Sequence, residues 1–403
     1  MYNSIGKNPI ALLKLIYQRN NFAAISLGIL CVFSLLAIFA PFIANHRPYV
    51  LVRQNSIEFP LFNMLRLSDW ILFIGFFLGL LTFWFCRSMQ RKAKCSKRAT
   101  LYIYLGAVLL TFTASLLITL DRPTLDTTDY YALSQSRDNW AIFAPLVHDP
   151  VTANIAERLK EPGWQGDLST TNWLGTDGAG ADVCTRLIHA SRIALSIGLI
   201  STSIALLLGV CVGSVMGYFG AWIDTLGMRI IEIFMAIPRL FLLLLVMAFI
   251  PPQFSSYTIY AMMIVIGLTS WMNCARFVRA EFLKLRELDY ICAAKAVGLP
   301  RRSIIFYHLL PNGITPVLVD ASFSIAAAIL LETSLSFLGF GIKPPDPSWG
   351  QMLAEAIDPS TGVFHWWLAF FPGVMIFLTV FSLNCIGDAL RDVLDSRFGD
   401  AAR

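Results

Sequence analysis

The chain alternates between long apolar runs and shorter polar segments. A helix that crosses a bilayer needs about 20 mostly apolar residues, because each residue adds about 1.5 Å and the hydrocarbon core is about 30 Å thick. The pattern predicts spanning helices for each run that meets or approaches this length. These runs cover residues 22–44, 70–86, 101–120, 193–218, 230–250, 257–274, 312–331 and 366–386. The first run is too long for a signal peptide and lacks a small-residue cleavage site, so we expect it to be retained.

Composition excludes other classes of protein. Of the 403 residues, 56% are hydrophobic and 14% are charged. A soluble domain has roughly 45–50% apolar and about 25% charged residues. The mean hydropathy of +0.64 is therefore too high for an ordinary soluble protein, a disordered chain or a small secreted domain held by disulfides. An integral membrane protein with several spans remains.

The distribution of basic residues orients the predicted spans. With the N-terminus inside, the inner segments hold 20 Lys and Arg, and the outer segments hold 10. Six of those ten lie in the long loop 121–192, and long loops cross the membrane largely regardless of charge. Because short cytoplasmic loops are the basic ones, both termini are predicted to be cytoplasmic.

The chain lacks the patterns of an enzyme. Its eight cysteines form no Cys-x-x-Cys pair, its five histidines are far apart, and we predict no metal site. It has no phosphate-binding loop with a Gly-Lys-Ser/Thr ending, no nucleophile elbow and no pair of catalytic carboxylates. We therefore expect no catalytic residue, no cofactor bound by this chain and no nucleic-acid partner. If the chain uses nucleotide energy, another chain must bind the nucleotide.

The predicted cytoplasmic loop 281–311 is too polar to span the membrane. It predicts an amphipathic helix ending near Gly298, a break at Pro300, a second short helix and a stop at Pro311. Ala294 and Gly298 are four residues apart and share one face, where small side chains would let another backbone approach. The alternative is a surface helix that lies on the inner leaflet, held by its basic residues.

This loop resembles a known family. Ala293 and Ala294, three further residues, Gly298, and then Leu310 and Pro311 resemble the EAA loop of importer-type ABC permeases. The resemblance implies that these five residues form the coupling helix and its end, which bind an ATPase subunit. The family's leading Glu is replaced here by Cys292.

Two further stretches narrow the resemblance. The segment WLGTD at 173–177, followed by Asp182 and Val183, is similar to WLGTDxxGRDV of the C-type permeases of dipeptide and oligopeptide importers. The run from Leu335 to Leu353 nearly matches SFLGxGxxPPxPSWGxML of the same family. That family usually has six spans. The resemblance therefore implies an all-α polytopic helix bundle with about eight spans, six family-like and one inserted pair.

The predicted organisation follows from these spans. Residues 1–44 form an N-terminal cytoplasmic segment and the first span, and residues 45–121 form the inserted hairpin. Residues 122–191 form a periplasmic loop, and residues 192–403 form the permease core with its cytoplasmic coupling loop 281–311.

Three glycines and four charged residues in the core need a separate interpretation. Gly209, Gly213 and Gly217 form a helix-packing stripe, within this chain or against a second permease. Asp320 and Arg239 lie inside predicted spans, where a charge costs roughly 2.5–3.5 kcal/mol. They line the translocation path, or they pair with each other, or Asp320 lies near an end of its helix.

The other pair lies near a helix end. Arg229 and Glu232 are three residues apart and predict a local ion pair. Pro238 should kink the same span.

The resemblance implies a membrane-spanning subunit of an ATP-driven importer of peptides or peptide-like solutes. Its implied partners are a B-type permease subunit, two ATPase subunits or domains that use ATP and Mg, an extracytoplasmic substrate-binding protein, and the lipid of the cell inner (cytoplasmic) membrane. The alternatives are a self-sufficient secondary transporter, or an ABC permease for another cargo such as nickel or a peptide antibiotic. A secondary transporter would more often have two similar halves, and we find no clear internal repeat.

Overall fold

A computed structural model describes residues 21–53, 56–65, 69, 73, 76–77, 130–134, 139–150, 154–166, 171–251, 257–313 and 315–401. The predicted span 101–120 lies outside these residues, and so does the predicted span 70–86 apart from Phe73, Phe76 and Phe77. The inserted pair of spans and the two cytoplasmic termini therefore stay predictions.

Helices make up most of the described structure. They are α1 (Asn21–Ile43), α2 (Pro60–Met64), α3 (Tyr130–Ser134), α4 (Val183–Phe219), α5 (Ala221–Met235), α6 (Arg239–Ala248), α7 (Thr258–Leu268), α8 (Trp271–Leu285), α9 (Asp289–Ala296), α10 (Arg301–Ser303), α11 (Leu310–Gly313), α12 (Thr315–Phe337), α13 (Trp349–Ala354) and α14 (Trp366–Ala401). A 3₁₀ helix covers Ile155–Glu157 and a π-helix covers Ile304–Leu309.

Two small sheets lie between α1 and α4 in the sequence. Strands β1 (Val50–Arg53), β2 (Ser56–Glu58) and β3 (Asn139–Ile142) form an antiparallel sheet in the order β2-β1-β3. Strands β4 (Trp164–Gln165) and β5 (Thr171–Asn172) form a second antiparallel pair.

Five helical segments of the described chain are long and apolar enough to cross a membrane. They are α1, α4, the α7–α8 pair, α12 and α14. Helices α5 and α6 count as a sixth span if taken together, and they meet at an angle of 72°. The bend lies at Pro238, as the sequence predicts, because proline lacks the N–H that would continue the helix. The predicted all-α polytopic fold is confirmed.

Helix α4 occupies the centre of the bundle and packs against α1, α7, α8 and α12. It begins at Val183, ten residues before the predicted start of its span, because the Asp182 carboxylate caps it by accepting a hydrogen bond from the Thr185 amide at 2.8 Å. Gly220 ends it with φ of +64°, a conformation that favours glycine. The main core lies between α4, α12, α13 and α14.

Candidate functional site

The loop between α8 and α12 folds into two short helical arms joined by a turn at Gly298. The Leu299 amide donates to the Ala294 carbonyl at 3.1 Å, and the Gly298 amide donates to the Lys295 carbonyl at 3.0 Å. These two bonds form a Schellman motif, which places Gly298 at φ of +79°. An added Cβ at Gly298 would meet nothing within 4 Å. Glycine is therefore favoured here by backbone conformation and not by lack of space within the chain.

Ala294 differs from its predicted position. Its side chain is only 8% exposed and lies in a cluster with Ile291, Ile304 and Leu309 that packs beneath α8. The sequence spacing predicts that Ala294 lies with Gly298 on the face open to another backbone. The structure turns Ala294 inward instead, because Ile291 and Ala294 share the apolar face that α9 buries against its own chain.

The outer side of this loop exposes large apolar side chains. Val297 is 81% exposed, and Phe306 and Tyr307 are also exposed. Ala293 and Pro311 are exposed, and Leu310 is half-buried. We call four of the exposed apolar residues of the two arms the docking surface, namely Ala293, Val297, Phe306 and Tyr307.

Three exposed basic residues accompany the docking surface, namely Lys295, Arg301 and Arg302. Phe306 and Tyr307 were missed in the sequence analysis. Two adjacent aromatic residues in a basic loop were the available signal.

The loop is tied to the ends of the spanning helices. The Arg286 guanidinium donates to the Gly217 carbonyl at 3.4 Å, and the Arg301 guanidinium lies 5.9 Å from the centre of the Phe219 ring. Arg279 of α8 makes two hydrogen bonds to the Asp224 carboxylate of α5, one of them at 2.6 Å. A displacement of the loop would therefore act directly on α4, and one of α8 would act on α5.

The glycine stripe of α4 lies against α8 of the same chain. A Cβ added at Gly213 would lie 2.5 Å from the Ala275 carbonyl oxygen. One at Gly209 would lie 2.6 Å from the Cys274 Cβ, and one at Gly217 would lie 2.5 Å from the Phe282 Cβ. The three glycines thus let the two helices approach closely within this chain.

Arg239 and Asp320 do not pair in the described structure. Arg239 Nη2 donates to Ser270 Oγ, at the break between α7 and α8. Arg239 Nε and Asp320 Oδ2 are buried and have no hydrogen-bond partner among the described residues. Arg229 and Glu232 form the predicted local ion pair at 2.7 Å, and both side chains are exposed.

At the opposite end of α4, a buried ion-pair cluster joins the two motifs that carry the narrower resemblance. Arg186 Nη1 donates to Asp177 Oδ2 and, at 3.1 Å, to Glu355 Oε2. Arg186 and Asp177 are almost fully buried, and Glu355 is half-buried. Burial raises the pKa of Glu355 above its ordinary value, although the Arg186 charge acts against that shift.

Hydrogen bonds from two tryptophans connect the same elements. Trp349 Nε1 donates to the Leu187 carbonyl at 3.2 Å, and Trp367 Nε1 donates to the Thr176 carbonyl at 3.1 Å. These residues join α13 and α14 to the start of α4. The two motifs therefore belong to one structural unit.

Glu332 lies near the end of α12, and its side chain is fully enclosed. Its Oε1 accepts hydrogen bonds from Ser336 Oγ at 2.9 Å and Ser348 Oγ at 2.8 Å. Glu332 thus holds the end of α12 to the start of α13, where the Ser348 hydroxyl also caps the helix.

A second ion pair, between an exposed arginine and a largely buried aspartate, joins the segment before α4 to the segment after α13. Arg158 Nη2 lies 3.1 Å from Asp358 Oδ1. Hydrogen bonds from the Ser360 amide and hydroxyl, with smaller contributions from Thr361 and Arg158, lower the pKa of Asp358 to about 2.

Comparison with known proteins gives two family matches. Residues 209–400 match the binding-protein-dependent transport system inner membrane component, and residues 16–62 match the N-terminal TM domain of oligopeptide transport permease C.

Individual relatives agree with these matches. The chain is 37% identical over 259 residues to the dipeptide transport system permease protein DppC of Alkalihalophilus pseudofirmus, covering 64% of this chain and 81% of that protein. It is 34% identical to the oligopeptide transport system permease protein OppC of Bacillus subtilis, with the same two coverages. It is 39% identical to the peptidoglycan transport system permease protein YejE of Agrobacterium fabrum, covering 57% of this chain and 58% of that protein. A solved structure of the MetNI methionine ABC transporter aligns with a TM-score of 0.40 and 19% identity, over 52% of this chain and 96% of its own.

Proposed function

Because the chain belongs to the family of binding-protein-dependent transport system inner membrane components, we propose that it is the membrane-spanning permease subunit of an ATP-driven importer for peptides or peptide-like solutes. It lies in the cell inner membrane and forms the translocation path together with a B-type permease subunit. An extracytoplasmic binding protein delivers the solute. Two ATPase subunits or domains bind ATP and Mg and drive the change of state.

The docking surface is the observation that most supports coupling of this chain to an ATPase subunit. Val297, Phe306 and Tyr307 expose large apolar side chains, whereas Ile291 and Ala294 anchor the same loop to α8. Exposed apolar groups of this size on a loop outside the spans favour a protein partner. Because the buried side of the loop packs tightly against α8, a displacement of the loop should also displace α8 within the membrane.

Two neighbouring substitutions separate docking from folding. Val297→Trp adds bulk to an exposed side chain in an ordinary helical conformation. Gly298→Ala adds only a methyl group in open space, but places a side chain at positive φ, which costs roughly 1–2 kcal/mol. We expect Val297→Trp to lose peptide uptake and substrate-stimulated ATP hydrolysis while the chain still reaches the membrane. Gly298→Ala should lose stability and keep coupling.

The readouts are uptake of a labelled peptide into membrane vesicles with ATP inside, and ATP hydrolysis by the same vesicles. Full uptake in Val297→Trp, with normal amounts of chain, would exclude docking at this surface. Loss in Gly298→Ala alone would mean that the loop serves only local folding.

Asp320 and Arg239 are proposed to line the path. An ionised side chain inside a membrane requires water or a polar partner, and each of these has a buried polar atom without one among the described residues. The amino group of a peptide would satisfy Asp320. We expect Asp320→Asn to reduce uptake of peptides with a free amino terminus more than uptake of amino-acetylated peptides. An equal reduction for both would assign Asp320 a structural role.

One relative favours a narrower cargo. The peptidoglycan permease of Agrobacterium fabrum is 39% identical to this chain. Peptide fragments that carry cell-wall sugars are therefore a second candidate cargo. Competition between a labelled dipeptide and a peptidoglycan-derived peptide, in the same vesicles, distinguishes the two.

A further inference from the structure

The three-stranded sheet that follows α1 has one apolar face. Its register pairs Val52 with Ile57 on one side and with Trp140 on the other, and pairs Val50 with Ile142. Directly paired residues point to the same side of a sheet, and alternate residues along a strand share a side. These five side chains therefore form a single surface, which we call the apolar sheet face.

This face points away from the protein. Ile57 is 65% exposed and Trp140 is 59% exposed. The opposite face contains the fully buried Leu51, and β1 contacts α2, whose Leu61 is also fully buried. An antiparallel sheet with one face on the core normally presents polar residues on the other. Here the outward face is apolar instead, so it needs a cover other than water.

The sheet begins at the level of the lipid headgroups. Helix α1 has 23 residues. Its length is thus about 35 Å, slightly more than the hydrocarbon core of about 30 Å. The Tyr49 hydroxyl donates to the Phe42 carbonyl in the last turn of α1, and the Asn45 amide donates to the Leu146 carbonyl at 3.0 Å. These bonds hold one end of the sheet, where β1 begins and β3 ends, against the end of the helix.

Aromatic side chains continue the apolar surface from the helix towards the sheet. The ring of Phe62 lies 6.0 Å from that of Phe42 on α1 and 6.3 Å from that of Phe59, directly after β2. Phe59 and Phe62 are both exposed. The second half of α1 also exposes Val32 and Leu35, as expected for a helix in contact with lipid. The apolar sheet face is therefore joined to a lipid-facing surface.

We propose that the apolar sheet face lies on the bilayer, in the leaflet at the carboxyl end of α1, which is the outer leaflet in the predicted orientation. A transient protein interface would mix apolar and polar groups and carry a charged rim. The two charged residues of the described strands, Arg53 and Glu58, are 4.0 Å apart and belong to the opposite face. Aromatic and aliphatic groups without charge fit the boundary between headgroups and acyl chains, where tryptophan is enriched.

Site-specific photocrosslinking in native membranes tests this proposal. A benzophenone amino acid replaces Trp140 in the full chain, and a second variant carries it at Ile57. The matched control carries it at Arg53, which is also exposed but lies on the opposite face. After irradiation of intact cells, the chain is isolated and its adducts are identified by mass. We expect phospholipid adducts at positions 140 and 57 to be several-fold more abundant than at position 53.

Two results would overturn the proposal. Protein adducts at positions 140 and 57 would show that the apolar sheet face binds a partner protein. Lipid adducts no more abundant at these positions than at position 53 would mean that the face is open to water. Because the experiment needs no transport, its outcome is independent of the proposed function. A second readout is available if a photocrosslinking variant fails to reach the membrane. The fluorescence of Trp140 is obtained by subtracting the signal of Trp140→Phe from that of the wild type, and brominated lipid should quench it.

Discussion

Replacing Arg186 by methionine should destabilise the chain far more than the same change at Arg158. The Arg186 side chain is 5% exposed and serves two carboxylates, Asp177 and Glu355. Removing one partner of a buried ion pair leaves an uncompensated charge and costs about 3–5 kcal/mol. Arg158 has one carboxylate partner among the described residues and its side chain is 43% exposed, so solvent screens this pair and its loss should cost much less.

The pH dependence of the loss identifies its cause. In Arg186→Met, Glu355 has no cation beside it, so its pKa should rise further above the ordinary value for glutamate of about 4.3. A carboxyl group whose pKa is raised in the folded chain destabilises it at neutral pH, and this effect fades as the pH falls towards that ordinary value. The loss in Arg186→Met should therefore be largest near neutral pH and shrink in mild acid.

The assay heats detergent-solubilised chain and measures the fraction that remains monodisperse by size-exclusion chromatography. The apparent melting temperatures of the wild type, Arg186→Met and Arg158→Met are compared at neutral and mildly acidic pH. A similar fall in melting temperature in both variants would refute the reasoning, since the buried Arg186 and the exposed Arg158 would then matter equally. A fall in Arg186→Met that does not change with pH would show that lost packing, and not an unpaired carboxylate, is the cause.

Three further changes test other contacts by the same heating assay. Gly213→Ala should lower stability by roughly 1–3 kcal/mol, because its Cβ would lie 2.5 Å from the Ala275 carbonyl oxygen. The control Gly28→Ala places its Cβ where nothing lies within 4 Å and should not lower stability, so equal effects would contradict the close approach of α4 and α8. Glu332→Leu should cost about 1–3 kcal/mol for each buried hydroxyl left without an acceptor, and Glu332→Gln should cost less; the reverse order would be inconsistent with the serine contacts. Because the pKa of Asp358 is lowered to about 2, its contribution to folding stability is complete above about pH 3.9 and is lost as the pH falls towards 2. Asp358→Asn should remove this acid dependence of stability, and an unchanged acid profile in the variant would disprove the role of Asp358.

The spanning helices were predictable because the bilayer imposes their length. Every predicted span within the described residues corresponds to a helix or a helix pair, and Pro238 marks the bend between α5 and α6. The start of α4 was not predictable in this way. Counting apolar residues places the start of this span at residue 193. The helix begins ten residues earlier, at Val183, and contains Arg186. One of the two carboxylates that make this charge tolerable, Glu355, lies 169 residues away in the sequence.

The contacts of the candidate site were harder to predict because they depend on tertiary packing. Spacing places Ala294 and Gly298 on one face, but only the fold shows that Ala294 packs beneath α8. Glu332 lies at the end of an apolar run, which suggests a solvated position, yet Ser348 approaches it across a turn that contains the cis Pro344–Pro345 bond. The sequence motifs located these regions, and the direction of each side chain required the structure.

The most direct test of the central claim is to extract the tagged chain from its native membrane with a gentle detergent and to identify every protein that is purified with it. The account predicts ATPase subunits and a second permease subunit, with the ATPase subunits lost in Val297→Trp and retained in Gly298→Ala. A stable chain without any nucleotide-binding partner would contradict the account and would favour a self-sufficient secondary transporter.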